Sequence, residues 1–288
     1  MPLVLVPTPV GNLGDITLRA LEVLRNADLI VAEDTRVTRK LLHALAIIPK
    51  NVWSYREQNA EAVTAGILDR AAEQLVALVT DAGMPAISDP GNDLVAAARA
   101  AGIAIDVLPG PSAALGVAVL SGFPLRRFVF EGFPPRASAA RRAAFRAALQ
   151  SEATTIWYES PQRIRASLSD LSAVAADCTV FLVREYTKKF EQQILGDPLA
   201  VAAALADPIR GEVSFAIAPY VRPKEGPSEA DAQSAIDRLL DEGRSVRDIA
   251  KILAGEGLGE RKNLYRLAGD RKTRRGMGPQ AAAEPQQL

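Results

Sequence analysis

The feature that most constrains the fold is an uninterrupted apolar run, Leu75–Val79, followed by a loop of Asp, Gly, Pro and Ser at residues 80–91. Apolar residues without alternation are typical of a strand buried on both faces, as in a parallel sheet covered by helices. Ligands of such sheets bind beyond the carboxyl ends of the strands. Gly83 and Gly91 allow a positive φ or a close backbone approach. The residues alone are equally consistent with a binding loop and with an ordinary strand-to-helix turn.

The same arrangement recurs through the first 122 residues, where short apolar runs alternate with amphipathic stretches. Polar or glycine-containing loops follow four of these runs, at 7–14, 33–36, 81–91 and 109–112. Parallel β/α alternation places all four loops on one edge of a sheet. The first loop lacks the glycine spacing of a dinucleotide-binding turn and the Gly-Lys-Ser/Thr of a phosphate loop, and Asp15 is the expected cap of the helix after it.

A second β/α series begins near Phe128, and a Pro/Gly-rich charged linker at 222–229 separates it from three short helical patterns. The helical order resembles a helix-turn-helix, and a dimerising tail is an equally good interpretation. The predicted organisation is an N-terminal α/β domain at 1–122, a C-terminal α/β domain at 123–221, a helical extension at 229–269 and a disordered tail at 270–288.

Charge is balanced overall, with 34 Lys and Arg against 34 Asp and Glu, so bulk charge indicates no partner. Its distribution is uneven. Residues 126–146 contain six Arg and one Glu, and residues 261–275 contain seven basic residues and one Asp. Focused basic segments in a neutral protein favour local phosphate contacts, and a solvated helix face is the alternative.

Several classes of protein are excluded by simple counts. Cys178 is the only cysteine, which excludes an intrachain disulfide and a Cys-based zinc site. No apolar run approaches the ~20 residues of a membrane span. The apolar start at Leu3 has no basic region before it, so it is predicted to be a strand and not a signal peptide. A cytoplasmic protein without membrane contact is expected, and the single His43 is expected on a helix surface.

Six motifs, in order and in register over about residues 3–220, resemble those of the bacterial small-subunit ribosomal RNA 2′-O-methyltransferases of the tetrapyrrole methylase superfamily. They are Pro7–Asn12, Ala32–Arg36, Thr80–Pro85 with Ser88–Gly91, Pro109–Ser112, Tyr158–Pro161 with Arg163, and Arg184–Lys188.

The resemblance implies a fold and a reaction. The fold is a two-domain, tetrapyrrole-methylase-like α/β architecture with parallel and mixed sheets and a small helical C-terminal extension. The implied methyl donor is S-adenosyl-L-methionine, bound between the two domains, and no metal is required. The implied acceptor is the ribose 2′-hydroxyl of a cytidine in the decoding region of 16S rRNA, in the small ribosomal subunit, and the implied assembly is a homodimer.

Motif positions also imply site residues. The predicted donor site consists of Pro7, Asp81, Gly83, Met84, Ser112, Ala113, Tyr158 and Tyr186. The predicted catalytic group, containing a general base among its carboxylates and cations for phosphate, consists of Glu33, Asp34, Arg36, Asp89, Glu185 and Lys188.

The chain departs from its relatives at two places. The relatives commonly carry histidines in the loop occupied here by residues 55–59, where this chain keeps only Asn59 of their pattern, so a histidine base in this loop is excluded. The relatives also often have Thr at the position of Met84.

Three other functions share parts of this pattern. A methylase of corrin or porphyrin precursors would share the donor site, and a non-catalytic RNA-binding assembly factor would share the fold. A nucleotide-binding hydrolase is disfavoured because the phosphate-loop lysine is absent.

Overall fold

The computed structural model describes residues 2–221 and 229–276. The chain forms two compact units, Met1–Val221 and Arg222–Leu288. The predicted linker at 222–229 lies outside the described residues except for Glu229, which begins a helix.

The first sheet is entirely parallel, with strand order β3-β2-β4-β1-β5. Its strands are β1 Leu3–Leu5, β2 Leu29–Ala32, β3 Val52–Ser54, β4 Val76–Val79 and β5 Ile105–Val107. The helices that alternate with them are α1 Leu18–Asn26, α2 Thr35–Ala44, α3 Ala60–Glu73, α4 Asn92–Ala100 and α5 Ala113–Leu120.

The uninterrupted apolar run becomes β4, the central strand of this sheet. All four of its residues are buried, as are all four residues of β2. Ala77 and Val79 face one apolar cluster, and Val76 and Leu78 face another on the opposite side of the sheet. Burial on both faces is why this strand shows no alternation of polar and apolar residues.

The start of α1 differs from the sequence expectation. Thr17, not Asp15, is its N-cap, and the Thr17 hydroxyl accepts a hydrogen bond from the backbone N–H of Ala20 at 3.1 Å. Asp15 ends a short 3₁₀ turn, Leu13–Asp15, that Asn12 caps. Helix α1 therefore begins at Leu18, two residues later than a cap at Asp15 would place it.

The second sheet is mixed, with strand order β6-β7-β10-β8-β9, and only the β6–β7 pair is parallel. Its strands are β6 Phe128–Gly132, β7 Thr154–Glu159, β8 Val180–Arg184, β9 Gln192–Gly196 and β10 Val213–Ile217. Helices α6 Ser138–Gln150, α7 Ile164–Ser172 and α8 Pro198–Ala204 lie between them in the chain. Strands β8 and β9 form an antiparallel hairpin.

Helix α5 joins the two sheets. It follows β5 in the chain, yet its buried residues Ala114, Val117 and Ala118 pack against the second sheet, at Ile156, Phe181, Val183 and Ala216. The predicted domain boundary at residue 122 assigns α5 to the N-terminal domain, whereas the strands that it packs against belong to the C-terminal domain. The division into two domains remains a prediction.

The C-terminal unit contains α9 Glu229–Asp241, α10 Val246–Gly255 and α11 Arg261–Gly276 around an apolar core of its own. Helix α11 extends seven residues past the predicted end at 269, because Arg271 and Arg275 form ion pairs with Asp237 of α9. The remaining predicted tail, 277–288, lies outside the described residues. None of the helices in the described ranges combines the length and the apolar character needed to cross a membrane.

We expect Gly110→Ala to lower the free energy of unfolding by about 1–3 kcal/mol, because overpacking a closed contact forces the neighbours apart. A Cβ at Gly110 would lie 2.7 Å from Cβ of Pro7, whose ring cannot rotate away. Gly66→Ala is the matched control, since its Cβ would meet the Trp53 ring at 3.5 Å inside α3, and Ala is favoured over Gly in a helix by up to ~1 kcal/mol. Urea denaturation measures the free energy of unfolding of both variants. A Gly110→Ala protein as stable as the wild type would contradict the close packing of Gly110 against Pro7.

Candidate active site

Two loops at the carboxyl edge of the first sheet are joined by a backbone bridge. The N–H of Thr8 donates to the carbonyl of Gly83 at 2.9 Å, and the N–H of Gly83 donates to the carbonyl of Thr8 at 3.0 Å. The buried Thr8 hydroxyl donates to the carbonyl of Thr80 at 3.1 Å. The loops after β1 and β4 therefore form one surface.

The loop after β4 has an unusual backbone. Gly83 and Gly91 have φ of 84° and 144°, as their residue type permits. Ala86 and Ser88 also lie in the left-handed region, at 67° and 64°. Such conformations are costly for residues other than glycine, and they cluster at functional sites. This backbone favours the binding-loop interpretation of residues 81–91 over an ordinary turn.

A loop of the second sheet faces this edge. Glu185 and Thr187 have φ of 57° and 62°. Glu185 Oε1 accepts from Lys188 Nζ at 2.8 Å and from the backbone N–H of Glu212 at 3.1 Å, while Lys188 Nζ also binds Glu212 Oε2 at 3.0 Å. Gly11 of the first sheet lies against this loop, since a Cβ there would be 2.7 Å from the Tyr186 carbonyl oxygen.

Between the two sheets is a cavity of about 360 Å³, the first cavity. Six of the eight predicted donor-site residues line it: Asp81, Gly83, Met84, Ser112, Ala113 and Tyr158. Pro7 and Tyr186 do not line it. Pro7 lies behind Gly110, and Tyr186 packs on Gly116 of α5. The structure thus brings six of the eight residues together, and the role of all eight in donor binding remains a prediction.

Tyr158 ties the second sheet to α5. Its hydroxyl accepts a hydrogen bond from the N–H of Ala114, in the first turn of α5, at 3.1 Å. Its ring meets Phe130 and Phe133 edge-on, with centroids 4.9 Å and 5.7 Å away. Burial raises the pKa of the Tyr158 hydroxyl, so this group stays neutral near pH 7.

The first cavity is acidic. Carboxylates from both sheets line it, and no Lys or Arg is among the lining side chains in the described part of the chain: the carboxylates are those of Glu33, Asp81, Asp89, Glu159 and Glu212. Glu159 is neutralised, because it binds Arg163 at 3.2 Å and the Ser167 hydroxyl at 2.6 Å. Glu212 is paired with Lys188 at 3.0 Å. Three carboxylates, those of Glu33, Asp81 and Asp89, therefore remain without an ion pair in the described part of the chain.

The carboxyl group of Asp89 differs from an ordinary carboxyl group in its pKa. Burial raises the pKa of Asp89 to about 6, and the nearby charges of Glu33, Asp81 and Glu212 add to the increase. Burial also raises the pKa of Asp81. A group in a cleft with a pKa close to the working pH is suited to exchange a proton.

A second cavity, of about 440 Å³, adjoins the first and shares Glu33, Asp81 and Ser88 with it. Its remaining lining residues are Asp34, Arg36, Arg56, Glu57, Gln58 and Pro90. Asp34 caps α2 by accepting from the N–H of Arg36 at 2.8 Å, and its own N–H donates to Asp81 Oδ1 at 3.1 Å. The hydrogen bonds from Arg36 hold the pKa of Asp34 well below its usual range.

The predicted catalytic residues fall in three places. Glu33 and Asp89 line the first cavity, Asp34 and Arg36 line the second, and Glu185 and Lys188 bind each other beneath Glu212. Their roles remain predictions. Lys188 already contacts two carboxylates, which favours a positioning role over phosphate binding.

Sequence reasoning missed Glu212 and Arg56, which line the first and second cavities respectively. Glu212 directly precedes β10. Because β10 runs antiparallel to β7 and β8, the amino end of β10 lies beside the carboxyl ends of those two strands. Antiparallel insertion of a strand has no signature in hydrophobic periodicity. Arg56 lies in the loop after β3, at the same edge of the sheet as the four loops that were singled out. Its position in the sequence could therefore have indicated a site residue.

The chain belongs to the tetrapyrrole (corrin/porphyrin) methylase family, whose model matches residues 2–203. The family resemblance predicted from the six motifs is thereby confirmed, and so is the predicted fold class.

Within this family the chain is similar to proteins named ribosomal RNA small subunit methyltransferase I. The relative from Escherichia coli O157:H7 is 40% identical over 272 residues, which cover 92% of this chain and 94% of the relative. The relative from Synechocystis is 38% identical over 271 residues, which cover 92% of this chain and 96% of that relative. The relative from Mesorhizobium japonicum is 38% identical over 287 residues, covering 96% and 94%.

Solved structures show the same fold at low identity. Diphthine synthase superposes with a TM-score of 0.60 at 16% identity, over 76% of this chain and 90% of that chain. A cobalt precorrin-4 methyltransferase superposes with a TM-score of 0.57 at 16% identity, over 75% and 94%.

We expect Asp89→Asn to be more stable than the wild type above pH 6. The folded protein holds the Asp89 proton with a pKa of about 6 against an ordinary 3.8, so the wild type loses stability as pH rises between these values. Below pH 4 the carboxyl group is neutral and the two proteins should melt alike. Thermal melts at pH 4 and pH 7.5 measure the difference.

The exposed Asp69 of α3 supplies a matched control, Asp69→Asn, whose melting temperature should change little at either pH. An Asp89→Asn protein that melts at or below the wild-type temperature at pH 7.5 would show that ionised Asp89 does not destabilise the folded protein.

Proposed function

We propose that this protein transfers a methyl group from S-adenosyl-L-methionine to the ribose 2′-hydroxyl of a cytidine in the decoding region of 16S rRNA. Membership of the methylase family supports the donor, and similarity to the small subunit methyltransferases supports the acceptor RNA. The six motifs support the position of the modification.

The observation that carries the proposal is the charge of the first cavity. S-adenosylmethionine supplies an electrophilic methyl group on a sulfonium, and it also carries an ammonium and a carboxylate. Three of the lining carboxylates have no ion pair and no basic side chain is among the described lining residues, so the first cavity favours a cationic ligand of this kind. The volume, about 360 Å³, is within the range of small-molecule sites.

The wall of the first cavity has groups suited to each part of the donor. Asp81 and Glu212 offer carboxylates to its cationic groups, and Tyr158 and Phe133 offer apolar surface. Ser112 begins α5, where the partial positive charge of a helix N-terminus favours the donor carboxylate. Gly83 allows the backbone to approach closely, since no Cβ intervenes.

Transfer forms a bond between the ribose oxygen and the methyl carbon, breaks the carbon–sulfur bond and releases the hydroxyl proton. We assign acceptance of this proton to Asp89, because it lines the first cavity and its pKa of about 6 makes it more basic than an ordinary carboxylate. Holding the hydroxyl and methyl groups in contact can contribute up to ~7–11 kcal/mol.

Helix α5 supports the proposed homodimer. The face opposite the second sheet exposes Leu115, at 54% of its surface, and Val119, at 70%. Apolar side chains in adjacent turns of one helix are typical of a surface that another protein covers. A ribosomal RNA substrate also implies a cytoplasmic location.

The proposal is tested with labelled donor and small ribosomal subunits that lack the modification. Incorporation at the cytidine ribose supports it. RNA binding without incorporation would identify an assembly factor on this fold, and transfer only to a porphyrin or corrin precursor would identify a tetrapyrrole methylase.

We expect Asp81→Asn to weaken donor binding by about 1–3 kcal/mol, because it removes the charge from a charge-assisted contact. The amide oxygen still accepts from the N–H of Asp34, so the loop should keep its conformation. Titration calorimetry measures the dissociation constant. Asp93→Asn, on the exposed face of α4, serves as the control. If Asp81→Asn folds normally and binds the donor as tightly as the wild type, Asp81 lies outside the donor site.

We expect the exposed cations of α11 to contribute phosphate contacts. Arg271 and Arg275 form ion pairs within the C-terminal unit, whereas other basic residues of the helix are exposed: Arg261, Lys262, Arg266, Lys272 and Arg274. Each phosphate contact steepens the dependence of log affinity on log salt by about 0.7–0.9. Replacing Arg261, Lys262, Arg266 and Lys272 with Gln should therefore flatten the slope by about 2–4 units.

Fluorescence titration of RNA at several salt concentrations gives the slope. Arg25→Gln and Arg99→Gln, both exposed on helices of the first unit, control for the loss of charge alone. Equal slopes for the wild type and the fourfold variant would show that α11 does not touch RNA.

A further inference from the structure

We propose that the second cavity binds the acceptor ribonucleotide, with Arg36 and Arg56 holding its phosphate at the mouth and Glu57 and Gln58 contacting the edge of its base. The inference rests on the proposed function and adds to it the site of the acceptor. It also identifies Arg56, Glu57 and Gln58 as binding and specificity residues of this chain.

The position of the second cavity fits an acceptor. It shares Glu33, Asp81 and Ser88 with the first cavity, so ligands in the two cavities meet at one wall. Its volume of about 440 Å³ is within the range of sites for small molecules. A nucleotide bound there directs its ribose to the shared wall, where the proposed base Asp89 follows Ser88 in the chain.

The two arginines are held around one carboxylate. Arg36 binds Asp34 through Nε at 3.1 Å and Nη2 at 2.6 Å, and Arg56 Nη2 lies 3.4 Å from the same group. Arg56 Nε donates to the carbonyl of Glu33 at 2.9 Å. Two guanidiniums around one carboxylate leave a net positive charge, and the Arg36 side chain is 82% exposed. Free N–H groups of a guanidinium fork match the geometry of a phosphate.

The loop that carries the base-contacting residues is fixed by Asn59. Its Oδ1 accepts from the N–H of Arg56 at 2.7 Å, and its Nδ2 donates to the carbonyl of Ser54 at 3.1 Å. These bonds close the turn after β3 and leave Glu57 and Gln58 exposed at its tip, lining the second cavity. Little conformational entropy is then lost when a base binds.

The side chains at this tip distinguish cytosine from uracil. A carboxylate accepts from the amino group of cytosine, and an amide donates to a ring nitrogen or carbonyl acceptor. Uracil presents a carbonyl where cytosine has its amino group, and Glu57 would repel that carbonyl. The pair is therefore suited to cytosine.

The charges of the second cavity also define the class of ligand. Carboxylates of Glu33, Asp34, Asp81 and Glu57 line it, and the cations are Arg36 and Arg56. A ligand with several carboxylates, such as a tetrapyrrole precursor, would meet like charges on most of its surface. A nucleotide within RNA has one phosphate for the two arginines, and its ribose and base are neutral.

The test compares Arg36→Ala and Arg56→Ala in the intact protein with Arg39→Ala. Arg39 is also exposed on α2 but does not line the second cavity. We expect each of the first two variants to weaken binding of unmodified small ribosomal subunits about tenfold, and Arg39→Ala to change it less than twofold. The dissociation constant for S-adenosylmethionine, measured by calorimetry, should stay unchanged in all three. Arg56→Lys keeps the positive charge but loses the guanidinium fork. Its affinity for the subunits should lie between the affinities of Arg56→Ala and the wild type.

Base recognition is tested with Glu57→Gln, on subunits carrying cytidine or uridine at the target position. We expect the ratio of kcat/KM for cytidine to that for uridine to fall about tenfold, because an amide donates to the uracil carbonyl. A ratio equal to that of the wild type would overturn the assignment of Glu57.

Failure of the inference is distinguishable from failure of the proposed function. If the wild type methylates the subunits and both alanine variants bind them normally, the acceptor lies elsewhere and the inference is wrong. If the variants lose affinity for S-adenosylmethionine as well, the second cavity is part of the donor site, and the inference is again wrong. If the wild type transfers no methyl group to RNA, the proposed function fails and the inference fails with it.

Discussion

The candidate site depends on the short bridge in which Thr8 and Gly83 exchange both of their backbone hydrogen bonds. Parallel pairing of β1 with β4 brings their carboxyl ends to the same edge, and the bridge joins the two loops that follow. Asp81 then accepts from the N–H of Asp34, which attaches the loop after β2. Gly11 lets the loop 185–188 of the second sheet approach. One backbone bridge, one hydrogen bond to a side chain and one close approach at a glycine thus bring four distant segments of the chain to one place.

Charge is distributed unevenly over this site, and the distribution suits both proposed ligands. Carboxylates of both sheets line the first cavity, while the guanidiniums of Arg36 and Arg56 line the second. The donor is a cation, and the acceptor carries its negative charge several bonds from the reacting hydroxyl. Arg36 and Arg56 therefore attract the RNA without reducing the attraction of the first cavity for a sulfonium. Hydrogen bonds from Arg36 lower the pKa of Asp34, whereas burial, with the nearby carboxylates adding to it, raises the pKa of Asp89.

The sequence predicted the first sheet well, because a parallel sheet buried on both faces has a strong signature, as β4 shows. It also indicated, through the motif resemblance, eight residues for a donor site, of which six line one cavity: five follow β4 or begin α5, and Tyr158 lies within β7. It could not predict Glu212 in the site, because antiparallel insertion of β10 is decided by tertiary packing. Nor could it predict that Pro7 and Tyr186 lie behind glycines, because close packing of that kind is a three-dimensional property.

The packing of α5 has a consequence for how the molecule folds. This helix is covalently the last element of the first sheet's series, but its apolar inner face is covered by strands of the second sheet, and Tyr158 binds its first turn. A fragment ending at residue 122 would expose that face to water, and a fragment starting at 123 would lack the helix that covers its strands. The two halves should therefore unfold in one cooperative transition. The first cavity, which lies between them, then exists only in the complete native state, so a partly folded chain lacks the proposed methyl-donor site.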